Sequence, residues 1–147
     1  MIRAATTADI ETIIALLGQM HSENIGYSDF TPDVKYVQCS LRLMLPNPNV
    51  RVFLDEAGRG FLMAQAVQDW FAPRIRVAEE VLYVHPAHRG STLAWRLVKR
   101  LEEWAKEIAA DRVVVGVSTG SNNAVKLYER AGFTRLGETL VKRLGER

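Results

Sequence analysis

The sequence is poor in the features that mark several classes of protein. Its 147 residues include one cysteine, Cys39, so no intrachain disulfide framework can form and a reducing compartment is the default expectation. No apolar run approaches the roughly 20 residues that a membrane-spanning helix needs. The first residues also lack the apolar stretch of a secretory signal peptide. These absences favour a soluble, cytoplasmic protein with no membrane partner.

The chain also lacks a strong charge of either sign. Nineteen Lys and Arg residues face 17 Asp and Glu residues, which gives a formal net charge of +2. The basic residues are scattered, and the stacking aromatic residues of a single-strand binder are missing, so we expect no nucleic-acid partner. No Cys, His and carboxylate spacing is typical of a metal site, so we expect no metal.

What is present is an ordinary globular composition, with 48% hydrophobic and 24% charged residues. This length and composition suit a single domain, residues 1–147, with a full hydrophobic core. We expect Cys39 to be a small apolar residue within that core.

Hydrophobic periodicity predicts strands and helices in the order β-α-α-β-β-β-α-β-α-β. A short turn at Gly58 indicates an antiparallel pair of strands, and a long helical crossover at residues 90–110 indicates a parallel pair. The fold class is therefore α/β with a mixed sheet. The predicted strands cover residues 2–5, 50–54, 61–68, 77–84, 112–118 and 133–144.

One stretch in the middle of the chain combines a strand, a polar turn and an amphipathic helix. Pro86 ends the predicted strand at residues 77–84, because proline cannot donate to a strand ladder. A turn follows at residues 89–92, and then apolar residues recur at helical spacing from Leu93 to Ile108. The free N–H groups at the start of such a helix, together with its dipole, favour a phosphate over the turn.

Residues 89–94 and residues 127–133 form two short motifs, and together these resemble motifs of the GNAT superfamily of acyl-CoA-dependent N-acetyltransferases. The family's phosphate-binding signature, Arg/Gln-x-x-Gly-x-Gly/Ala, is matched in order by Arg89, Gly90, Ser91, Thr92, Leu93 and Ala94. A later signature, Leu-Tyr-Glu-x-x-Gly-Phe, is matched by residues 127–133. One position departs from the pattern, because Thr92 stands where the family usually has a glycine. Its branched side chain narrows the approach to the pyrophosphate, while its hydroxyl offers a hydrogen bond to a phosphate oxygen.

The resemblance implies a mostly antiparallel sheet in which one parallel pair of strands, residues 77–84 and 112–118, splays apart. It further implies that acetyl-CoA threads its pantetheine arm into the splay and pairs with the backbone of Leu82, Tyr83 and Val84. Asn123, at the head of the following helix, is an additional candidate for contact with acetyl-CoA.

The implied reaction is direct transfer of the acetyl group to a primary amine. By resemblance, Tyr128 is the acid that reprotonates the departing thiolate, and a backbone N–H at Tyr83 or Val84 stabilises the oxyanion. For the base, the sequence offers Glu79 and Glu80. Adjacent strand residues face opposite ways, so only one of the two can look into a given pocket. The sequence leaves open which of them is the base, with a solvated pair of glutamates as the alternative.

The acceptor and the state of assembly are less determined. Tyr27, Phe30, Trp70 and Phe71 are candidates to line an acceptor pocket, with anchoring of their own loops as the alternative. The acceptor amine belongs either to a small molecule or to a protein, and a homodimer is possible by resemblance. A scaffold that uses a longer acyl-CoA, or a non-catalytic CoA-binding module, is the alternative function.

Overall fold

A computed structural model describes residues 1–24, 29–118 and 122–145. Five strands form one sheet in the order β1-β2-β3-β4-β5. The first four strands pair antiparallel, and β4 pairs with β5 in parallel, which confirms the predicted mixed, mostly antiparallel sheet. The strands are β1 (Ile2–Ala4), β2 (Val50–Asp55), β3 (Gly60–Gln68), β4 (Ile75–Val84) and β5 (Arg112–Val114).

Helices cover both faces of this sheet. On one face, α1 (Ile10–Glu23) and α2 (Val34–Met44) pack against side chains such as Phe61 and Tyr83. On the other face lie α3 (Leu93–Glu107) and α4 (Asn122–Arg130). The buried side of α3 consists of Leu93, Leu97, Val98, Leu101, Trp104 and Ala105. Within the described ranges, none of the helices is both long and apolar enough to cross a membrane.

A β-bulge in β4 decides which of its side chains face which layer. Glu79 lies opposite Ala64 and Val81 lies opposite Met63, so that Glu80 has no partner residue on β3. An extra residue on one strand reverses the alternation of side chains beyond it. Consequently Val77 and Glu79 face the α3 layer before the bulge, and Leu82 and Val84 face it afterwards.

Two sequence-based predictions about local structure are wrong. Residues 133–145 contain no strand, and β5 spans three residues rather than the predicted seven. A strand persists only where a neighbouring strand pairs with its backbone N–H and C=O groups. The chain moves away from β4 after Val114, and β5 ends there. Beside so short an edge, the apolar residues of 133–144 have little strand to pair with, and Leu136, Leu140, Val141 and Leu144 are exposed.

Cys39 is exposed, which corrects the expectation that it belongs to the core. It lies two positions before the buried Leu41 of α2. Two positions correspond to about 200° around a helix, so Cys39 projects from the side opposite Leu41.

Candidate active site

The parallel pairing of β4 and β5 ends at Ala78 and Val114. Beyond these residues the two strands are no longer paired, and the gap between them is called the splay. The carboxylate of Glu79 lies where they part. Its Oε2 atom accepts hydrogen bonds from the backbone N–H of Gly116, at 3.3 Å, and from the hydroxyl of Tyr128, at 3.2 Å. Glu79, on β4, is therefore hydrogen-bonded both to the segment that follows β5 and to α4. Its carboxyl group lies beside the phenol of Tyr128.

The sequence motif at residues 127–133 explains how Tyr128 reaches this position. Its side chain is 4% exposed and packs in the same core as α3. Gly132 has a φ of +92°, a conformation that favours glycine, and it turns the chain back on α4. The N–H of Phe133 then donates to the carbonyl of Tyr128 at 3.0 Å, and the two rings meet edge-on with centroids 5.4 Å apart. Helix, glycine and aromatic residue together fix the phenol in place.

The surroundings of Glu79 suit a base that works near neutral pH. Burial raises the pKa of Glu79 to about 7, although the hydrogen bonds from Gly116 and Tyr128 act in the opposite direction. The nearby charge of Glu80 raises it further. Burial and the adjacent Glu79 raise the pKa of Tyr128 above its usual value, so this phenol keeps its proton at neutral pH.

Because the pKa of Glu79 is raised, the free energy of unfolding should depend on pH. A carboxyl group whose folded pKa lies above its unfolded value stabilises the fold fully below the unfolded pKa, and that contribution is lost as pH rises through the folded pKa. For Glu79 this window runs from the usual value of 4.5 to about 7. We expect the stability of wild type relative to Glu79→Gln, which cannot ionise, to fall by about 2.5 kcal/mol between pH 5 and pH 8. Urea unfolding of both proteins at pH 5 and pH 8 measures this, and an equal difference at the two pH values would contradict it.

Glu80 lies in a different environment. It is exposed, and its Oε1 atom accepts a hydrogen bond of 2.6 Å from the side-chain amide of Gln65. The bulge places Glu80 away from Tyr128. The structure thus distinguishes the environments of two adjacent glutamates that the sequence could not tell apart. Glu79 is the one beside the splay.

The turn after β4 contains the residues of the predicted phosphate-binding motif. Gly90 has a φ of +81°, and a Cβ atom built on it would meet no other atom within 4 Å, so the outer side of the turn is open. The hydroxyl of Ser91 donates to the carbonyl of His88 at 2.7 Å and accepts from the N–H of Leu93 at 3.3 Å. Ala94 follows in the first turn of α3. Backbone N–H groups at the start of a helix are suitable ligands for a pyrophosphate.

Thr92 fits this turn without strain. It precedes the first residue of α3 with a φ of −80° and a ψ of 2°, which any residue can adopt. The glycine that the resembled family usually has here is therefore not required by this backbone. The effect of the Thr92 side chain on a bound phosphate stays a prediction.

The end of β4 leads from the splay to the turn. Leu82 and Val84 face the α3 layer, whereas the ring of Tyr83 is buried on the opposite face. The carbonyl of Val84 accepts a hydrogen bond of 3.0 Å from Nε of Arg89. The hydroxyl of Tyr83 donates to the carboxylate of Glu23, a residue that the sequence analysis did not single out.

The candidate acceptor residues are not gathered in one place. Tyr27 lies outside the described residues. Phe30 is exposed, its carbonyl lies 2.7 Å from Nε2 of His21, and the two rings are in contact. Trp70 and Phe71 contact each other and are 92% and 66% exposed. They precede β4, at the opposite end of that strand from Val84.

Asn123, the remaining candidate for contact with acetyl-CoA, is exposed in the first turn of α4. The start of α4 follows the segment that leaves the splay, on the same side of the sheet as α3. In the described ranges, no group of three or more His, Cys, Asp or Glu side chains is arranged to hold a metal ion.

Comparison with known proteins decides the family. The model of the acetyltransferase (GNAT) family matches residues 24–133, about three quarters of the chain. The chain belongs to this family. It accordingly belongs to a family of acetyltransferases, and the two motifs found in the sequence are motifs of that family.

One curated relative is similar to part of the chain, and two solved structures share its fold. An L-methionine sulfoximine/L-methionine sulfone acetyltransferase of Salmonella typhimurium is 34% identical over 56 residues, which is 38% of this chain and only 33% of that protein. A ribosomal-protein-alanine N-acetyltransferase from Brucella melitensis biovar Abortus has the same fold, with a TM-score of 0.77 and 19% identity over 98% of each chain. AAC(6')-Iy, in complex with the bisubstrate analogue CoA-S-monomethyl-acetylneamine, has a TM-score of 0.80 and 18% identity over 97% of this chain and 96% of its own.

Proposed function

We propose that residues 1–147 act as one N-acetyltransferase domain that transfers the acetyl group of acetyl-CoA to a primary amine. The observation that carries the proposal is the pairing of Glu79 with Tyr128 where β4 and β5 separate. A carboxyl group with a pKa near 7 beside a buried phenol supplies a base and an acid in one place. The open turn at Gly90, 11 residues after Glu79 in the chain, would hold the pyrophosphate.

Acetyl-CoA supplies an activated thioester, from which an amine accepts the acetyl group with release of a thiol. The Glu79 carboxylate takes the proton of the attacking ammonium group, directly or through a water molecule, so that the nitrogen lone pair is free to form the amide bond. The Tyr128 hydroxyl gives its proton to the departing sulfur as the carbon–sulfur bond breaks. The second proton of the attacking nitrogen leaves to water as the tetrahedral intermediate collapses to the amide, so that ammonium and thioester give amide, thiol and one released proton. The proton gained by Glu79 then returns to Tyr128 through their 3.2 Å hydrogen bond. Both side chains are thereby restored.

Two further groups act on the transferred acetyl group. A backbone N–H of Tyr83 or Val84, on the strand that borders the splay, would stabilise the oxyanion. The carbonyl and N–H groups of Leu82 to Val84 would align the thioester arm as an added strand aligns. In this proposal the side chains of Glu79 and Tyr128 transfer protons. The backbone of β4 orients the thioester and stabilises the negative charge on its oxygen.

For the acceptor, we propose a chemical class and not an individual molecule. One GNAT relative acts on methionine sulfoximine, and one structural neighbour carries an aminoglycoside-like bisubstrate analogue. Both are small amine-bearing molecules. The Brucella neighbour is named for a ribosomal protein, but at 19% identity it shows the fold alone, and we propose a small-molecule acceptor of the kind used by the more similar curated relative. A negatively charged Glu79 above pH 7 would also favour a cationic amine electrostatically.

Calorimetry with acetyl-CoA and with longer acyl-CoA esters tests the cofactor part of the proposal. We expect acetyl-CoA to bind the wild-type protein in the micromolar range, about −8 kcal/mol. Thr92→Gly should change this affinity less than about threefold, because the threonine backbone is already in an unstrained conformation. Absence of binding to wild type with recovery in Thr92→Gly would instead favour a closed phosphate turn and a non-catalytic role.

A further inference from the structure

A cluster of three side chains joins the end of α1 to the phosphate turn, on the face of the sheet opposite Tyr128. Glu23 is the last residue of α1, and it accepts a hydrogen bond from the hydroxyl of Tyr83. The same Oε2 atom of Glu23 lies 3.0 Å from a terminal nitrogen of Arg89. The guanidinium of Arg89 in turn lies over the ring of Tyr83, 5.5 Å from its centroid.

The position of Glu23 is unfavourable for α1 taken alone. A carboxylate in the last turn of a helix faces the negative end of the helix dipole. Here the hydrogen bonds from Tyr83 and Arg89 lower the pKa of Glu23, so the charged form is held in place. The favourable partners of Glu23 therefore come from β4 and from the turn rather than from its own helix.

The side chain of Arg89 makes two contacts, which connect the turn to β4 and to α1. Its Nε atom donates to the carbonyl of Val84, the last residue of β4, while its terminal nitrogen contacts Glu23. The turn between Val84 and α3 is thus fastened to the strand before it and to a helix from the other layer. Arg89 is the first residue of the phosphate-binding motif, and Gly90 follows it immediately.

We propose that Glu23 is a positioning residue for the phosphate turn, and that it acts through Arg89. It holds the guanidinium against Val84 and Tyr83, and this fixes the backbone at Gly90 in the form that receives a pyrophosphate. The proposal rests on the function proposed above, because it assumes that the turn binds the diphosphate of acetyl-CoA. It assigns a role to a residue of α1, which lies outside both sequence motifs.

Calorimetry on Glu23→Gln tests this role with two ligands, acetyl-CoA and S-acetylpantetheine, which lacks the pyrophosphate. We expect the affinity for acetyl-CoA to fall about tenfold, as for the loss of one charge-assisted hydrogen bond. The affinity for S-acetylpantetheine should stay within about twofold of wild type, since that ligand does not use the turn. Glu138→Gln, which alters an exposed glutamate near the C-terminus, is the control and should match wild type for both ligands.

A double-mutant cycle with Arg89→Ala separates this role from a direct one. If Glu23 acts through Arg89, Glu23→Gln has no further effect once Arg89 is absent. Equal losses in both backgrounds, equal losses for both ligands, or tighter binding of acetyl-CoA by Glu23→Gln would each overturn the proposal. Tighter binding would mean that Glu23 competes with the phosphate for Arg89.

Amide hydrogen exchange of the free protein tests the same role without any ligand. Residues 85–92 should exchange faster in Glu23→Gln than in wild type, because the turn has lost one of its two attachments. Unchanged exchange would overturn the positioning role. Failure of wild type to bind acetyl-CoA would count against the proposed function alone, and the exchange rates would still decide whether Glu23 holds the turn.

Discussion

Glu79→Gln is expected to lower kcat by about 100- to 1000-fold, the usual contribution of a well-placed general base. Glutamine has nearly the shape of glutamate and can still accept from Gly116 and Tyr128, but it cannot take a proton from the acceptor ammonium group. In wild type, kcat/KM should rise with pH through an apparent pKa of about 7, as Glu79 loses its proton. This limb should be absent in the variant. Steady-state kinetics from pH 5.5 to pH 9 provide the measurement.

Glu80→Gln is the matched control for this prediction. It changes the same kind of side chain on the same strand, one position away, yet Glu80 lies at the bulge and contacts Gln65. We expect its kcat to stay within about threefold of wild type, as for a surface carboxylate away from the chemistry. A larger loss in Glu80→Gln than in Glu79→Gln would assign the base to Glu80 and contradict the site described above.

Tyr128→Phe is expected to lower kcat by about 100-fold and to leave the affinity for acetyl-CoA within about threefold of wild type. The ring would keep its edge-on contact with Phe133, so the core should remain packed. What is lost is the hydroxyl that donates to Glu79 and, during transfer, to the sulfur. Single-turnover kinetics and calorimetry separate the two effects.

Two comparisons sharpen the test of Tyr128. Tyr36→Phe removes a hydroxyl from a tyrosine that is 73% exposed on α2, and it should leave kcat unchanged. Because Glu79 and Tyr128 exchange a proton in the proposed mechanism, the double variant Glu79→Gln/Tyr128→Phe should lose much less than the product of the single losses. Equal falls in kcat and in affinity for Tyr128→Phe would show that Tyr128 binds acetyl-CoA without acting as the acid.

The sequence was sufficient for the family, the order of most elements and the position of Tyr128. Those features depend on local signals, such as the amphipathic pattern of α3 and the glycine at position 132 that folds Phe133 back on Tyr128. Which of Glu79 and Glu80 lies beside Tyr128 depends on the bulge, which exists only in the pairing of β4 with β3. A strand read alone shows alternation but cannot show where that alternation reverses.

Other features were out of reach because they depend on distant partners. Glu23 is 60 positions from Tyr83 and 66 from Arg89, and only the packing of α1 on the sheet brings them together. Its one local signal was an acidic residue at the end of an amphipathic helix, where a basic residue is usual. The predicted strand at residues 133–144 had the reverse problem, since its apolar residues suit a strand but β5 offers an edge of only three residues.

The most direct test of the central claim is transfer of an isotopically labelled acetyl group from acetyl-CoA to a panel of amines. The panel would contain aminoglycosides, amino acids and their sulfoximine or sulfone analogues, and short peptides, with products identified by mass spectrometry. We expect wild type to transfer the label to a primary amine of a small molecule, and Glu79→Gln at equal concentration to do so at least about 100 times more slowly. Tight binding of acetyl-CoA without a labelled amine, or equal transfer by the two proteins, would contradict the central claim.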